Sequence, residues 1–242
     1  MSRAGDRARL EARVVDKSFR TAAGQRVPVI ADLLFALEQG ETGALIGPSG
    51  CGKSTLMRIL AGLDGDFDGS LHVPANGRVG MVFQEPRLLP WRSLEDNVRL
   101  AAPEASEAEI AALFAALGLA DHRAHFPGEL SIGLARRAAL ARAFAVRPTL
   151  LLLDEPFVSL DAPLARQLQS DLAKLVESQA MITVLVTHDV DEAIGLADRL
   201  FVLSARPAHV VGEIKVKSPR AAMNDEARKA IRARVEALRD AG

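Results

Sequence analysis

Nine consecutive residues, Gly47-Pro48-Ser49-Gly50-Cys51-Gly52-Lys53-Ser54-Thr55, carry the strongest chemical signal in this chain. They read G-x-x-x-x-G-K-S, a loop whose backbone N–H groups can wrap a phosphate chain. The glycines let the backbone come close to phosphate oxygens. Lys53 supplies a compact positive charge for the outer phosphates, and Ser54 a hydroxyl for Mg²⁺. The loop follows the apolar run Ala44-Leu45-Ile46 and precedes Leu56, Ile59, Leu60 and Leu63, which share one helical face. Strand, loop and helix in that order set a helix N-terminus, with its partial positive charge, against the phosphates. The chain is therefore expected to bind a nucleoside triphosphate.

A second group of chemical candidates lies further along. Leu150-Leu151-Leu152-Leu153-Asp154-Glu155 reads as a buried strand ending in two carboxylates. In phosphoryl transfer an aspartate at such a strand end holds Mg²⁺ against the β and γ oxygens, the role expected of Asp154. Glu155, one step beyond, is placed to polarise a water for attack, a contribution worth roughly 10²–10⁴-fold. An Asp-Glu pair alone is a common surface feature; the phosphate loop upstream gives this one a chemical meaning. Gln84 follows a short strand at 79–83 and is read as touching both Mg²⁺ and the attacking water. His188 follows the apolar run 182–186 at the same kind of strand end, where ligands of α/β sheets gather. His122 and His125 share a loop without cysteines, short of the four ligands of a structural zinc. Arg136, Arg137, Arg142 and Arg147 recur along one predicted helix, and a solvated face or a phosphate-facing helix end accounts for them.

The elements that must position these residues alternate. The first 40 residues read as short strands, with Leu33, Phe35 and Leu37 on one face. Asp64-Gly65, Asp68-Gly69 and Asn76-Gly77 are turn signals between further strands. The texture is helical from about 86 to 147, where Ser106 and Glu109 form a capping-box pattern and Gly118 stops the helix. After the strand at 150–153 come a helix at 164–178 and the strand at 182–186. The apolar runs call for a largely parallel sheet covered on both faces. Ala227, Ile231, Val235 and Leu238 place a C-terminal amphipathic helix within 221–242, expected to pack on its own domain.

Composition narrows the function classes. The 242 residues carry a formal net charge of −1, which gives no electrostatic grip on nucleic acid. Cys51 is the only cysteine, so no disulfide forms within one chain. No stretch approaches the about 18 apolar residues of a membrane span, and the charged N-terminal stretch lacks the apolar core of a secretory signal. The protein is expected to stay where it is made.

Taken together, these motifs resemble the ATP-binding subunit of an ATP-binding-cassette (ABC) transporter, from about residue 10 to 215. Gly47–Thr55, written GPSGCGKST, is similar to that family's Walker A, and LLLLDEP to its Walker B with the catalytic glutamate. Gln84 matches the Q-loop, Ser159-Leu160-Asp161 the D-loop and His188 the H-loop. The resemblance implies an α/β fold: a P-loop NTPase (RecA-like) core, an antiparallel β subdomain and an inserted helical subdomain, the cassette filling residues 1–220. It implies ATP and Mg²⁺ as cofactors, with catalytic roles for Gln84, Glu155 and His188 and Mg²⁺ contacts from Ser54, Gln84 and Asp154. It also implies two cassettes sandwiching two ATP molecules, each site using the partner's signature motif. Phe19 stands where the family places an aromatic that stacks on adenine. The signature consensus LSGGQ is here Leu130-Ser131-Ile132-Gly133-Leu134; Ser131 and Gly133 are kept, and with Asp161 are the residues implied near nucleotide. Ile132 replaces a glycine, and a β-branched residue tolerates positive φ poorly. Either that position needs no positive φ or the loop is remodelled.

Two stretches resemble the nitrate/sulfonate/taurine-type importer cassettes: QEPRLLPW followed by SLEDNV, and THDVDEAIGLADRL with LSARP after it. That likeness implies transmembrane permease subunits as partners, a solute-binding protein indirectly, and a peripheral place on the cytoplasmic face of the inner membrane. It makes Leu88, Leu89 and Trp91 candidates for the surface that meets the permease; a helical-subdomain core accounts for them equally. The competing readings are an exporter or lipid-trafficking cassette and a soluble non-transport ABC ATPase, which usually carries a coiled coil or a second cassette. A GTPase switch would need an N-K-x-D motif, whereas Asn76, Asn97 and Asn224 are followed by Gly, Val and Asp.

Overall fold

The computed structural model describes residues 9–74, 77–216 and 223–241. In chain order the first elements are β1 (Arg9–Arg20), β2 (Arg26–Glu38), β3 (Thr42–Ile46), α1 (Lys53–Leu60), β4 (Asp68–His72) and β5 (Val79–Val82). Then come α2 (Leu94–Ala101), α3 (Glu107–Ala116), α4 (Ile132–Ala145), β6 (Leu150–Asp154) and α5 (Ala162–Glu177). The chain continues through β7 (Ile182–Thr187), α6 (Val190–Leu196), β8 (Arg199–Leu203), β9 (Val210–Lys215) and α7 (Asp225–Ala241). They form two compact units, one of residues 1–76 with 182–242 and one of residues 77–181.

The first unit holds an antiparallel sheet of order β2-β1-β4 and the strands β7-β3-β8-β9, parallel except for the antiparallel β9. Every residue of β3 and β7 is buried, as their unbroken apolar runs require of parallel strands covered on both faces. β2 is one-sided instead: Leu33, Phe35 and Leu37 are buried while Leu34 is exposed. The opening strands are longer than their sequence suggests, 12 and 13 residues, because β1 and β2 pair along nearly their whole length. At the other end of the chain, α7 packs on its own unit. Val235 is fully buried, and a Cβ on Gly212 of β9 would come within 2.6 Å of Leu238.

Asp68-Gly69, expected at a turn, lies inside β4 instead. Gly69 has φ 144°, and a Cβ there would meet the Arg13 carbonyl oxygen at 2.0 Å, beside a register shift in β1. The glycine marks a β-bulge, not a reversal of the chain. Gly69→Ala should therefore lower stability by about 1–3 kcal/mol, read as a fall in melting temperature with nucleotide affinity kept. Asn76 of the third turn signal lies outside the described residues.

The second unit pairs β5 with β6 in parallel and carries α2 to α5. The Ser106–Glu109 capping box opens α3, and Gly118, at φ 64°, follows its end. Of the four arginines expected in a solvated or phosphate-facing row, Arg147 is exposed, whereas Arg136, Arg137 and Arg142 turn to the protein. Arg136 is buried and donates to the carbonyls of Gln84 and Val158; Arg142 donates to those of Pro86 and Arg87 at 2.8 and 2.7 Å. Arg137 reaches Leu117 O and the Asp171 carboxylate, and Arg147, just past the helix, pairs with Glu109. These side chains tie loops to the helix. Loop carbonyls without a secondary-structure partner need donors, and a guanidinium offers five.

Candidate functional site

In the first unit, the phosphate loop joins the end of β3 to the start of α1. Gly50 and Gly52 take φ 76° and 131°, and Gly52 caps the helix. A Cβ on Gly47 would press on Leu203 at 3.0 Å and on Cys51 at 3.1 Å; one on Gly52 would meet Val29 at 3.0 Å. Gly52 thus suits its position by backbone conformation and by close approach, Gly50 by conformation and Gly47 by close approach. Pro48, Ser49, Gly50 and Ser54 are exposed and Thr55 half-buried, while Cys51 turns inward and is buried as a small filler of the loop. Leu56, Met57, Ile59 and Leu60 anchor α1 in the core, so its N-terminus is held firmly at the loop.

Lys53 is buried, and its Nζ donates to Gly47 O and Pro48 O, both at 2.9 Å. An ammonium has three N–H donors, so this arrangement aims the charge into the loop and keeps donor capacity for an incoming oxygen. Arg206, between β8 and β9, adds a grip from outside by donating to Gly50 O at 2.9 Å. Sequence reading quoted Arg206 within LSARP but gave it no role.

His188 leaves the same edge of the sheet. Ile46 pairs in register with Thr187, so the phosphate loop and His188 both follow directly from neighbouring strand ends. His188 is exposed. The turn around it is locally fixed: Thr187 Oγ1 accepts from Asp189 N at 3.0 Å and lies 2.5 Å from the Glu192 carboxylate, while Asp189 caps α6. Phe19, half-exposed near the end of β1, has the Lys17 ammonium 4.8 Å from its ring centroid. Lys17 is itself buried, bonded to Asp64 Oδ1 at 2.9 Å and Asp66 O at 2.6 Å. Burial pushes the Asp64 carboxyl up, but bonds from Lys17 and the Asp66 backbone, with the nearby cations, outweigh it and hold it below the usual range.

In the second unit, the pairing of Val82 with Leu153 sends β5 and β6 out in step. Gln84 and Glu155 each stand two residues beyond that pair, at the same edge. Asp154 is buried at the last position of β6. Glu155 adopts φ 46°, a left-handed conformation uncommon for a glutamate and concentrated at functional positions. Ser159 has φ 64°, and Asp161 caps α5 by accepting from Leu164 N at 2.9 Å. The segment after Gln84 is held by Asn97, buried, which takes Leu89 N at 2.7 Å and gives its amide hydrogens to Leu89, Arg92 and Ser93 carbonyls. Trp91 rides on that segment 70% exposed, whereas Leu88 and Leu89 are half-buried.

The signature stretch resolves the question of Ile132. Ser131 caps α4 through its hydroxyl, and Ile132 is the first residue of that helix, with no positive φ. A branched side chain is therefore compatible with the backbone, and it stands 60% exposed. Gly133 lies against Leu164 of α5, whose side-chain end would have to shift for a Cβ, 2.5 Å away. The rings of His122 and His125 meet edge to face, 5.0 Å apart.

The expected site residues thus divide between the units. Gly47–Thr55, Phe19 and His188 belong to the first; Gln84, Ser131, Gly133, Asp154, Glu155 and Asp161 belong to the second.

Comparison with known proteins agrees with this chemistry. The ABC transporter family model matches residues 30–158. The aliphatic sulfonates import ATP-binding protein of Burkholderia cenocepacia (strain HI2424) is 45% identical over 196 residues, spanning 78% of this chain and 73% of that protein. Its counterpart in Pseudomonas syringae pv. syringae (strain B728a) is 42% identical over 208 residues, spanning 86% and 85%. Among solved structures, a dimeric bacterial ABC transporter cassette is similar with TM-score 0.76 at 25% identity, over 86% of this chain and 99% of its own. A post-hydrolysis cassette dimer bound to ADP and phosphate gives TM-score 0.72 at 26% identity, with the same coverage. The P-loop α/β fold read from the sequence is the fold of these cassettes.

Proposed function

The chain belongs to the ABC transporter family, and from that premise we propose that it is the ATP-hydrolysing subunit of an importer for aliphatic sulfonates or chemically close small nutrients. The observation that carries the substrate class is the 45% identity, over 78% of the chain, to a sulfonate-import subunit. The anionic nutrient itself is handled elsewhere in such a transporter; this subunit supplies the energy.

The chemistry assigned to each residue follows from its setting. Gly47 to Thr55 wrap the phosphates of ATP, with Lys53 on the outer ones and Ser54 on Mg²⁺. Asp154, buried at the end of β6, would hold the metal together with Ser54 and Gln84. Glu155 takes the proton of the attacking water, oriented by Gln84 and His188. Phe19 offers its ring to the adenine. Mg²⁺ supplies charge neutralisation on the phosphate oxygens when bound.

Two copies pair, as the related cassettes do; in this reading they hold two ATP molecules between them, with Ser131 and Gly133 of each copy meeting the other's nucleotide and Asp161 close by. Among the described residues no helix is long and apolar enough to cross a membrane. Attachment to the cytoplasmic face of the membrane then falls to permease subunits, for which exposed Trp91 on its Asn97-braced loop is the leading contact. A solute-binding protein delivers the nutrient to that permease.

Affinity isolation of the Glu155→Gln protein from native membranes in ATP tests this reading. Recovery of a polytopic permease is expected, and its binding protein should prefer alkyl sulfonates. Recovery of soluble partners only would sink the transport assignment.

Ile132 allows a finer test. Its exposed side chain stands at the α4 N-terminus, where closure on the second nucleotide requires close approach. Ile132→Gly should raise ATP turnover about two- to fivefold, less than 1 kcal/mol of barrier. An unchanged or lower rate in a steady-state ATPase assay would remove the idea that Ile132 slows closure.

A further inference from the structure

Arg136 is the buried cation of α4, 5% exposed, five positions after the Ser131 cap. Its guanidinium reaches two separate loops. One terminal nitrogen donates to the Gln84 carbonyl and stands 3.5 Å from that of Phe83; the other donates to the Val158 carbonyl at 3.2 Å. Gln84 is the residue after β5 assigned to Mg²⁺ and water; Val158 lies three residues beyond Glu155 and just before Ser159, which has φ 64°. Among the described residues the Arg136 Nε has no partner, and the terminal nitrogens are spent on these carbonyls. Burial lowers the pKa of the group, with only Glu85 nearby acting in the opposite sense. A buried guanidinium spent on backbone carbonyls is costly to desolvate, and packing alone would be served better by a methionine.

We propose that Arg136 is a positioning residue that clamps the loop after β5 and the segment after Glu155 to one helix, so that the two move as one piece. The proposal rests on the roles given above to Gln84 and Glu155. Its basis is geometric. β5 and β6 leave their pairing in step, but Gln84 and the residues after Glu155 lie beyond the strands, where no ladder hydrogen bonds hold their spacing. A planar fork can hold two carbonyls at a fixed separation; a lysine, with a single nitrogen, cannot reach both with the same geometry. Since Ser131 caps α4, the clamp also links both catalytic loops to the signature stretch.

The test uses the full-length chain with Arg136→Lys and Arg136→Gln, alone and combined with Gln84→Ala. Hydrogen exchange should rise together at residues 84–87 and 158–161 in Arg136→Lys, while α2 and α3 keep their protection. Turnover should fall tenfold or more and the Mg²⁺ needed for half-maximal rate should rise several-fold, with ATP affinity within twofold of wild type. Arg136→Gln should cost less in the Gln84→Ala background than it does alone, because the part of its effect that runs through Gln84 is already lost. Independent, multiplying losses in that cycle, or exchange that rises at only one of the two segments, would overturn the clamp. Should Arg136→Gln not fold, Arg136→Lys carries both readouts. A wild-type rate in Gln84→Ala alone would instead overturn the role of Gln84, and the exchange measurement would still decide whether the clamp exists.

Discussion

Replacing Lys53 by alanine is expected to abolish tight ATP binding, weakening it by about 100-fold or more. The estimate combines a lost charge-assisted hydrogen bond, about 1.5–3 kcal/mol, with the loss of loop order that the same ammonium provides. Lys53 does both jobs here. It bonds Gly47 and Pro48 carbonyls at 2.9 Å and so tightens the loop that it also charges. Alanine leaves those carbonyls without their donor as well as removing the cation. The melting temperature should change little, because Leu56, Met57, Ile59 and Leu60 keep α1 anchored. Equilibrium binding of a fluorescent ATP analogue, with and without Mg²⁺, measures the effect. Retained micromolar affinity would contradict the phosphate-loop role.

The second large effect belongs to Glu155. Glu155→Gln keeps size and shape but removes the base, so turnover should fall by roughly 10²–10⁴-fold while ATP binding survives. Hydrolysis then becomes slower than association, and an ATP-bound pair of chains should accumulate and be visible by size-exclusion chromatography with light scattering. The unusual backbone at this position, φ 46°, makes the choice of variant important. Glutamine strains the left-handed conformation no more than glutamate does, so a rate loss reports on the carboxylate and not on the turn. Wild-type turnover in this variant would show that another group takes the proton.

Both expectations concern residues that contiguous sequence made legible. Gly47 to Thr55 form a single loop whose glycine spacing and flanking apolar runs encode strand, loop and helix without distant help. The same holds for Leu150 to Glu155, where four leucines end in two acids, and for the Ser106–Glu109 capping box. Ser131 reads as part of a signature motif, and its hydroxyl cap on α4 follows from residue type and position.

What stayed hidden has a common physical cause. Asp68-Gly69 looks like a turn because residue types there fit one. Only the approach of Arg13 on β1, to 2.0 Å of where a side chain would begin, makes the glycine the β4 residue that faces a bulge in β1. The arginines of α4 recur like a solvated face, since periodicity records which way a side chain leaves the helix but not what meets it. Most of their partners are backbone carbonyls, which look alike at every residue and leave no trace in composition, and the Asp171 and Glu109 carboxylates are distant in sequence. Ile132 carries a similar lesson: a branched residue in a glycine's place left open a position without positive φ or a remodelled loop, and the structure decides for the first, since the backbone there is the first turn of a helix.

The sequence by itself determined what the chain offers chemically: a glycine-rich loop ending in Lys53 and Ser54, a strand ending in two carboxylates, and the alternation of strands and helices that carries them. Those signals are local, written in residue types a few positions apart. Only the tertiary structure decided how the loops are held. Arg136 and Gln84 are 52 residues apart, and Arg206 and Gly50 are 156 apart. Contacts of that range arise from packing, where a long side chain finds whichever carbonyl the fold brings to it, and no local pattern encodes which one.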